Sequence, residues 1–305
     1  MPRAVASCMT VAPRARSIFL LVKRAISEWS EDNAPTFAAS LAYYTMFSIA
    51  PLLIIAVSVA GMVFGEEAAR GEIQAQLREL VGQSGAEVIG DMMVSARKPS
   101  SGILATALGV VALIFGATGV FVQLQDALNH IWHAKPAQRN GVLNFLRSRV
   151  LSFAMVLVIG FLLLVSLVVS AALAGIGAYF GRAFPGWEVL WQGLNLLISF
   201  AVITVLFAMM YKLLPDTHVA WRDVWLGAAV TSLLFSLGKL GIGLYLGKST
   251  VASSYGAAGS LAVVLIWVYY SAQILFLGAE FTQVYARQHG SRSQEPWPAS
   301  ENRTP

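Results

Sequence analysis

Charged residues and cysteines are scarce in this sequence. Asp, Glu, Lys and Arg make up 12% of its 305 residues, against about 25% in a soluble chain, which argues against a soluble monomer. The single cysteine, Cys8, excludes an internal disulfide and a cysteine-ligated metal cluster. The phosphate-binding pattern GxxxxGK[ST] is also absent, which excludes an ATP motor of that kind on this chain.

The sequence has instead a series of long apolar runs. Six of them exceed the ~18 residues that a membrane span needs, and the fifth is interrupted only by Lys239. Because every backbone amide and carbonyl in hydrocarbon needs an internal partner, each run is expected to be helical. The predicted fold class is therefore all-α, a polytopic membrane protein with six transmembrane helices. The predicted spans are Phe37–Phe64, Leu104–Leu124, Leu151–Phe180, Leu190–Tyr211, Val224–Leu246 and Ala257–Leu277.

The basic residues predict the orientation of these spans. Most of the 21 Lys and Arg residues fall on alternate connecting segments, and by the positive-inside rule those segments and both termini are cytoplasmic. The net charge of +5 therefore needs no nucleic acid to explain it. The basic residues are also spread over four loops without an aromatic-lined groove, which argues against a nucleic-acid partner.

Composition divides the chain into a membrane domain and two tails. Residues 17–286 form the predicted six-helix domain, which starts with a short helix lying in the cytoplasmic interface, since Leu21, Ile26 and Trp29 recur at helical spacing. Residues 1–16 are rich in Arg and Pro, and 287–305 contain Ser, Pro and Glu. Both tails are predicted to be disordered.

Two connecting segments have features of their own. The outer segment 66–98 carries two apolar stripes, one through Ile73 and Leu77 and one through Ile89 and Met93, which predicts two short amphipathic helices. A solvated hairpin resting on the headgroups is the open alternative. The cytoplasmic loop 126–149 is basic and is predicted to lie beside anionic lipid.

The first span carries a stripe of hydroxyl groups. Ser40, Tyr44 and Ser48 are spaced by four residues, Tyr43 lies beside them, and Pro51 leaves a backbone carbonyl free and bends the helix. Such a stripe suits a water-filled or headgroup-binding cavity. Hydrogen bonding between packed helices is the alternative interpretation.

The last span carries a second polar stripe. Tyr269, Gln273 and Glu280 fall within 40° of one another on a helix of ~100° per residue. Glu280 is predicted either to be a proton or cation site at the cytoplasmic mouth or simply to end the helix at the interface. Lys239, on the fifth span, either extends its ammonium outward to the membrane surface or contacts an anionic substrate.

Small residues and histidines are the remaining features. Glycines concentrate near Gly238 and Gly256, where they allow close approach of helix backbones. His130 and His133 could share a metal, but no further clustered His or Cys completes a hydrolytic zinc site. We therefore predict no enzyme activity, no catalytic residues, no metal and no cofactor.

The motifs resemble those of the YihY/BrkB family of bacterial inner-membrane proteins. The resemblance rests on AASLAYYTMFSIAPLL at 38–53, LNHIW at 128–132, Leu214-Pro215, YGAAGS at 255–260, WVYYSAQ at 267–273 and LGAE at 277–280. It implies a six-helix inner-membrane protein with a suspected transport role and a link to serum resistance in one pathogen. The family's old label, ribonuclease BN, fits this sequence badly, because its histidines do not complete a metal site and its basic residues form no nucleic-acid groove.

Two functions follow as expectations. The first is an ATP-independent transporter or lipid/amphiphile translocase with its path between the first and last spans, whose partners are membrane lipids and a small solute, lipid or ion. The second is a non-transporting envelope scaffold or assembly partner that uses segments 66–98 and 126–149.

Overall fold

All regular secondary structure in the described part of the chain is helical. The computed structural model describes residues 11–96, 119–134, 188–248 and 251–293, and no strand occurs among them. The helices are α1 (Val11–Glu31), α2 (Ala34–Phe64), α3 (Glu66–Ala96), α4 (residues 119–131), α5 (Glu188–Leu213), α6 (Trp221–Lys248) and α7 (Val251–Gln288). This agrees with the predicted all-α class.

Two of the described helices have apolar windows long enough to cross a membrane. They are Leu196–Leu213 on α5 and Leu261–Gln288 on α7. Large apolar side chains also lie exposed on α5 and α6, among them Leu196, Leu233 and Leu237. The six-span topology and the cytoplasmic termini stay predictions, since the predicted span 151–180 and most of 104–124 lie outside the described residues.

A tight turn joins α1 to α2. Asn33 takes the left-handed conformation, with φ 54° and ψ 35°, which Asn tolerates better than most residues. Pro35 follows in the first turn of α2, where its missing N–H costs no helical hydrogen bond. α1 begins at Val11, so the prediction of a disordered tail over 1–16 is wrong for residues 11–16, which extend the predicted interfacial helix by about one and a half turns.

The segment after α2 folds back on itself. Gly65, with φ 86°, ends α2, and α3 follows. The side-chain amide nitrogen of Gln74 lies 3.2 Å from the position that a Cβ on Gly90 would take, whereas sixteen residues along a straight helix span about 24 Å. α3 therefore folds back on itself as two arms, which are called here the first and the second arm.

The two arms bury their apolar stripes against α2 and α7. Leu77 of the first arm and Ile89 of the second belong to one cluster with Ile54 and Val57 of α2 and Val264 of α7. A second, larger cluster joins α2, α4, α5, α6 and α7. Its largest fully buried members are Leu128, Ile131, Trp132, Tyr211, Val219, Val224 and Phe276. α7 thus lies at the centre, in contact with α1, α2, α3 and α6.

α6 and α7 approach each other through two matching Gly-x-x-x-Thr pairs. A Cβ on Gly227 of α6 would overlap the Thr282 side chain of α7, and a Cβ on Gly278 of α7 would overlap Thr231 of α6. Each threonine hydroxyl donates to the carbonyl oxygen of the glycine one turn earlier in its own helix, at 2.7 Å for Thr231 and 2.6 Å for Thr282. Only glycine fits at these two positions.

The chain stays ordered beyond the end of the last predicted span. α7 continues to Gln288, and a turn follows through residue 293. The prediction of a disordered tail over 287–305 is therefore wrong for residues 287–293. Ser291 donates from its backbone N–H and from its hydroxyl to one carboxylate oxygen of Asp223, at 2.9 and 2.6 Å, and these bonds hold the turn in place.

Candidate functional site

Glu280 is the most unusual side chain in the described structure. It is fully buried on α7, inside the apolar window Leu261–Gln288. α7 continues for eight residues beyond it, about two turns, so Glu280 does not end the helix at an interface. Among the described residues, no donor lies in hydrogen-bonding geometry to either of its carboxylate oxygens.

The charged neighbours of Glu280 come from α1, the α1–α2 turn and α7 itself. Asp32, only 3% exposed, lies in the turn and faces Glu280 directly, with Glu28 one turn earlier on α1 and Arg287 two turns later on α7. Arg287 is also buried. Glu28 is held at 3.6 Å from the Arg24 guanidinium. Glu280 therefore has a second buried carboxyl group and a buried guanidinium as neighbours.

This arrangement is suited to holding a proton or a cation. Two carboxylates at one buried site repel each other, and burial removes the water that would stabilise their charges. A proton or a bound cation would relieve this repulsion. Helical spacing singles out Glu280 but not Asp32, because the two residues meet only through the packing of α1 and α2 on α7.

The predicted hydroxyl stripe on α2 is split between two environments. Tyr43 and Tyr44 are 60% and 45% exposed, and their rings contact each other edge to face at 6.0 Å. Ser48 is buried and, with Tyr44, faces Gly119 of α4. Ser40 is half-buried, and Pro51 lies within α2.

The second predicted stripe lies on the helix that packs along α2. Tyr269 is 37% exposed, and Gln273 is half-buried with a side-chain oxygen that meets no donor among the described residues. α2 and α7 run antiparallel, with Asp32 beside Glu280 and Val57 in one cluster with Val264. Gln273 and Tyr44 therefore lie at a similar level, but no hydrogen bond between described residues joins the two stripes.

Lys239 lies apart from the acidic pair. It lines a narrow crevice between α6 and α7 together with Phe235, Trp267 and Tyr270. It follows the start of α6 by eighteen residues, about 27 Å along the helix. Asp223, near that start, binds the turn that follows α7, so Lys239 and Glu280 lie toward opposite ends of the α6–α7 pair.

A polar network ties α4 to the loop between α5 and α6. Asp216 accepts hydrogen bonds from the side-chain amides of Gln125 at 3.2 Å and Asn129 at 3.0 Å, and its backbone N–H donates to the Asn129 oxygen at 2.7 Å. Burial and the Asp216 carboxylate raise the pKa of Asp126. The LNHIW and Leu214-Pro215 motifs lie beside these residues, but the sequence does not indicate this contact, which joins residues 87 positions apart.

The same network reaches the end of α7. Gln283 donates to the carbonyl oxygen of Ile131 at 2.9 Å and lies 3.1 Å from Nδ1 of His133. Arg292 donates to the Thr217 hydroxyl at 2.6 Å, and its guanidinium lies 5.3 Å from the centre of a Trp132 ring. The LNHIW segment therefore contacts the last helix and the turn that follows it.

Comparison with known proteins places this architecture in a family. The family model described as "Virulence factor BrkB" matches residues 25–303. A UPF0761 membrane protein of Alteromonas mediterranea is 27% identical over 89% of this chain and 88% of its own length. A second, from Cronobacter sakazakii, is 28% identical over 89% of this chain and 90% of its own length. A third, from Ralstonia nicotianae, is 29% identical over 85% of this chain. That relative is longer, and the match covers 57% of its length.

No solved structure matches the chain. The relatives reported above are named only as membrane proteins, and all are bacterial. The family model covers nearly the whole chain and includes every helix from α2 to α7. The chain belongs to the virulence factor BrkB family and is a bacterial membrane protein.

Proposed function

We propose that this protein is an ATP-independent transporter or lipid/amphiphile translocase that couples movement of its substrate to protonation of the Asp32–Glu280 pair. The observation that carries the proposal is the burial of Glu280 beside a second carboxyl group, within a helix apolar enough to span the membrane. Burying two acids is costly, and ionisable groups inside membrane segments usually mark ion or substrate pathways.

The exposure of the two tyrosines favours an amphiphile over a small solute. Tyr43 and Tyr44 lie on the outside of the described helices, whereas the residues of an enclosed pore would be shielded from lipid. Phenol groups combine an apolar ring with a hydroxyl, which suits the boundary between a headgroup and acyl chains. In this proposal Ser40, Tyr43, Tyr44 and Ser48 line the path, with Pro51, Tyr269 and Gln273 beside it.

The test is a lipid-movement assay at several pH values. Full-length protein is reconstituted into liposomes that contain NBD-labelled phosphatidylethanolamine, and dithionite reports how fast labelled lipid reaches the outer leaflet. We expect a rate above that of protein-free liposomes that changes with pH. In Glu280→Gln and Asp32→Asn the pH dependence should be lost, because each variant removes one carboxyl group of the buried pair.

Two controls separate coupling from misfolding. Glu31→Gln neutralises the exposed acid next to Asp32 and should leave both rate and pH dependence unchanged. The triple variant Tyr44→Phe, Gln273→Leu, Glu280→Gln should abolish movement while eluting as a folded protein. Equal rates with and without protein, or an unchanged pH profile in Glu280→Gln, would overturn the proposal and favour the non-transporting scaffold.

A further inference from the structure

The two arms of α3 enclose a cleft of about 410 Å³, a size typical of small-ligand sites. The first arm lines it with Arg70, Ile73 and Gln74, and the second with Glu87, Asp91 and Met93. None of these residues belongs to the acidic pair or to the polar stripes of α2 and α7. Gly90 of the second arm faces Gln74 across the cleft, since a Cβ on Gly90 would lie 3.2 Å from the Gln74 side-chain nitrogen.

The walls of the cleft carry opposite charges. Glu87 and Asp91 are one helical turn apart on the second arm, where like charges destabilise a helix. Among the side chains that the structure describes, neither acid forms an ion pair, and Glu87 accepts only a hydrogen bond from Gln83, at 2.6 Å. Arg70 stands on the first arm and pairs with Glu66 of the same arm at 3.2 Å. A ligand with both charges would complement the two walls.

An apolar surface lies beside these charges. Ile73 and Met93 line the cleft and continue into the buried cluster of Leu77 and Ile89. Val94, at the rim, is 57% exposed, although a valine side chain is ordinarily buried. Charged groups and an exposed apolar rim at one opening fit a molecule with a polar head and an apolar body.

We propose that this cleft binds a phospholipid whose headgroup carries both a phosphate and a primary ammonium. The ammonium donates hydrogen bonds to Glu87 and Asp91, the phosphate accepts from Arg70, and the glycerol end of the acyl chains lies against Ile73 and Met93. A quaternary choline headgroup has no N–H to donate, and a glycerol headgroup has no positive charge, so the two carboxylates distinguish these lipids.

The test is native mass spectrometry of the full-length protein with equimolar phosphatidylethanolamine, phosphatidylcholine and phosphatidylglycerol. We expect phosphatidylethanolamine to be retained preferentially and the preference to fall about tenfold for each acid removed in Glu87→Gln and Asp91→Asn, the effect of losing one charge-assisted hydrogen bond. Glu67→Gln, an exposed acid of the first arm outside the cleft, is the charge-matched control and should retain the wild-type preference.

A steric variant tests the cleft without changing its charge. Gly90→Leu would push against Gln74 and should reduce binding of all three lipids. Equal retention of the three lipids by the wild type, a preference for phosphatidylglycerol, or unchanged selectivity in the double variant Glu87→Gln, Asp91→Asn would overturn the inference. Binding is measured without transport, so a failure of the proposed coupling at Glu280 leaves this result unaffected, and the reverse also holds.

Discussion

Gly278→Ala is expected to destabilise the protein strongly, although alanine is the better helix former. The added methyl group would overlap the Thr231 side chain and stand 2.7 Å from the Tyr211 hydroxyl. That hydroxyl donates to the Leu275 carbonyl oxygen at 2.7 Å and also contacts the Thr231 hydroxyl at 3.0 Å. The substitution therefore disrupts both a close contact between α6 and α7 and a buried hydrogen bond.

The expected loss follows from these two effects. Overpacking a core costs about 1–3 kcal/mol, and a buried hydrogen-bonding group left without its partner costs about 1–3 kcal/mol. Alanine regains up to about 1 kcal/mol of helix propensity. The net destabilisation is about 1–6 kcal/mol, a large part of a total stability of about 5–15 kcal/mol.

Thermal unfolding in detergent measures this loss against two reference variants. Gly241→Ala, on α6, places its methyl group in open space and should melt at or slightly above the wild-type temperature. Adding Thr231→Gly to Gly278→Ala removes the atoms that the new methyl group would overlap. The double variant should recover stability, with a coupling energy of at least about 0.5 kcal/mol.

The reasoning would be refuted by either of two results. One is a Gly278→Ala protein that melts like Gly241→Ala, which would mean that α6 and α7 are not in close contact. The other is strict additivity of Gly278→Ala and Thr231→Gly, which would mean that the two side chains do not share the same space.

Three further perturbations test the polar groups. Arg292→Gln removes the contacts of this side chain with Thr217 and Trp132 and should loosen the turn after α7. Proteolysis of that turn should become faster and Trp132 fluorescence should change. An unchanged digestion pattern would contradict the contact. The pKa of Asp126 is raised by burial and Asp216, so the folded state binds this proton more tightly and stability falls as pH rises through the folded pKa. In Asp126→Asn this fall should be absent when Tm is measured across pH. If the Tm of the variant and of the wild type changed with pH in parallel, the prediction would be contradicted. Tyr211→Phe should lower stability by about 1 kcal/mol in the same unfolding assay, because the Leu275 carbonyl loses its donor.

The sequence predicts the local parts of this fold well. The two apolar stripes of 66–98 lie on α3, and the small residues near Gly238 predict a close approach of helices. Gly238 does lie against Tyr270 and Ile274 of α7. These features depend on residues within a few helical turns, where periodicity and side-chain size carry the information.

Contacts between distant segments could not be predicted in this way. From the sequence, Asp32 is only a polar residue that precedes a helix. The packing of α1 and α2 on α7 brings it close to Glu280. Ser291 and Arg292 belong to a stretch whose composition indicates disorder, yet partners in another loop hold them in place. Tyr44 and Gln273 are predicted to line one cavity, but helical spacing does not determine whether two polar stripes on different helices enclose a cavity or only pack together.

The hydrogen bonds that join α4, the α5–α6 loop and the turn after α7 have a mechanical consequence. They tie together three segments that are far apart in sequence, so a shift of α7 relative to α4 would break several of these bonds. α1 contacts α7 through an apolar cluster that includes Leu21, Ala25 and Val284, while Phe19 and Ile26 face outward. A displacement that hinges at Asn33 would lift α1 away from α7 and carry its charged groups with it. Water would then reach Glu280 without any repacking of the central helices.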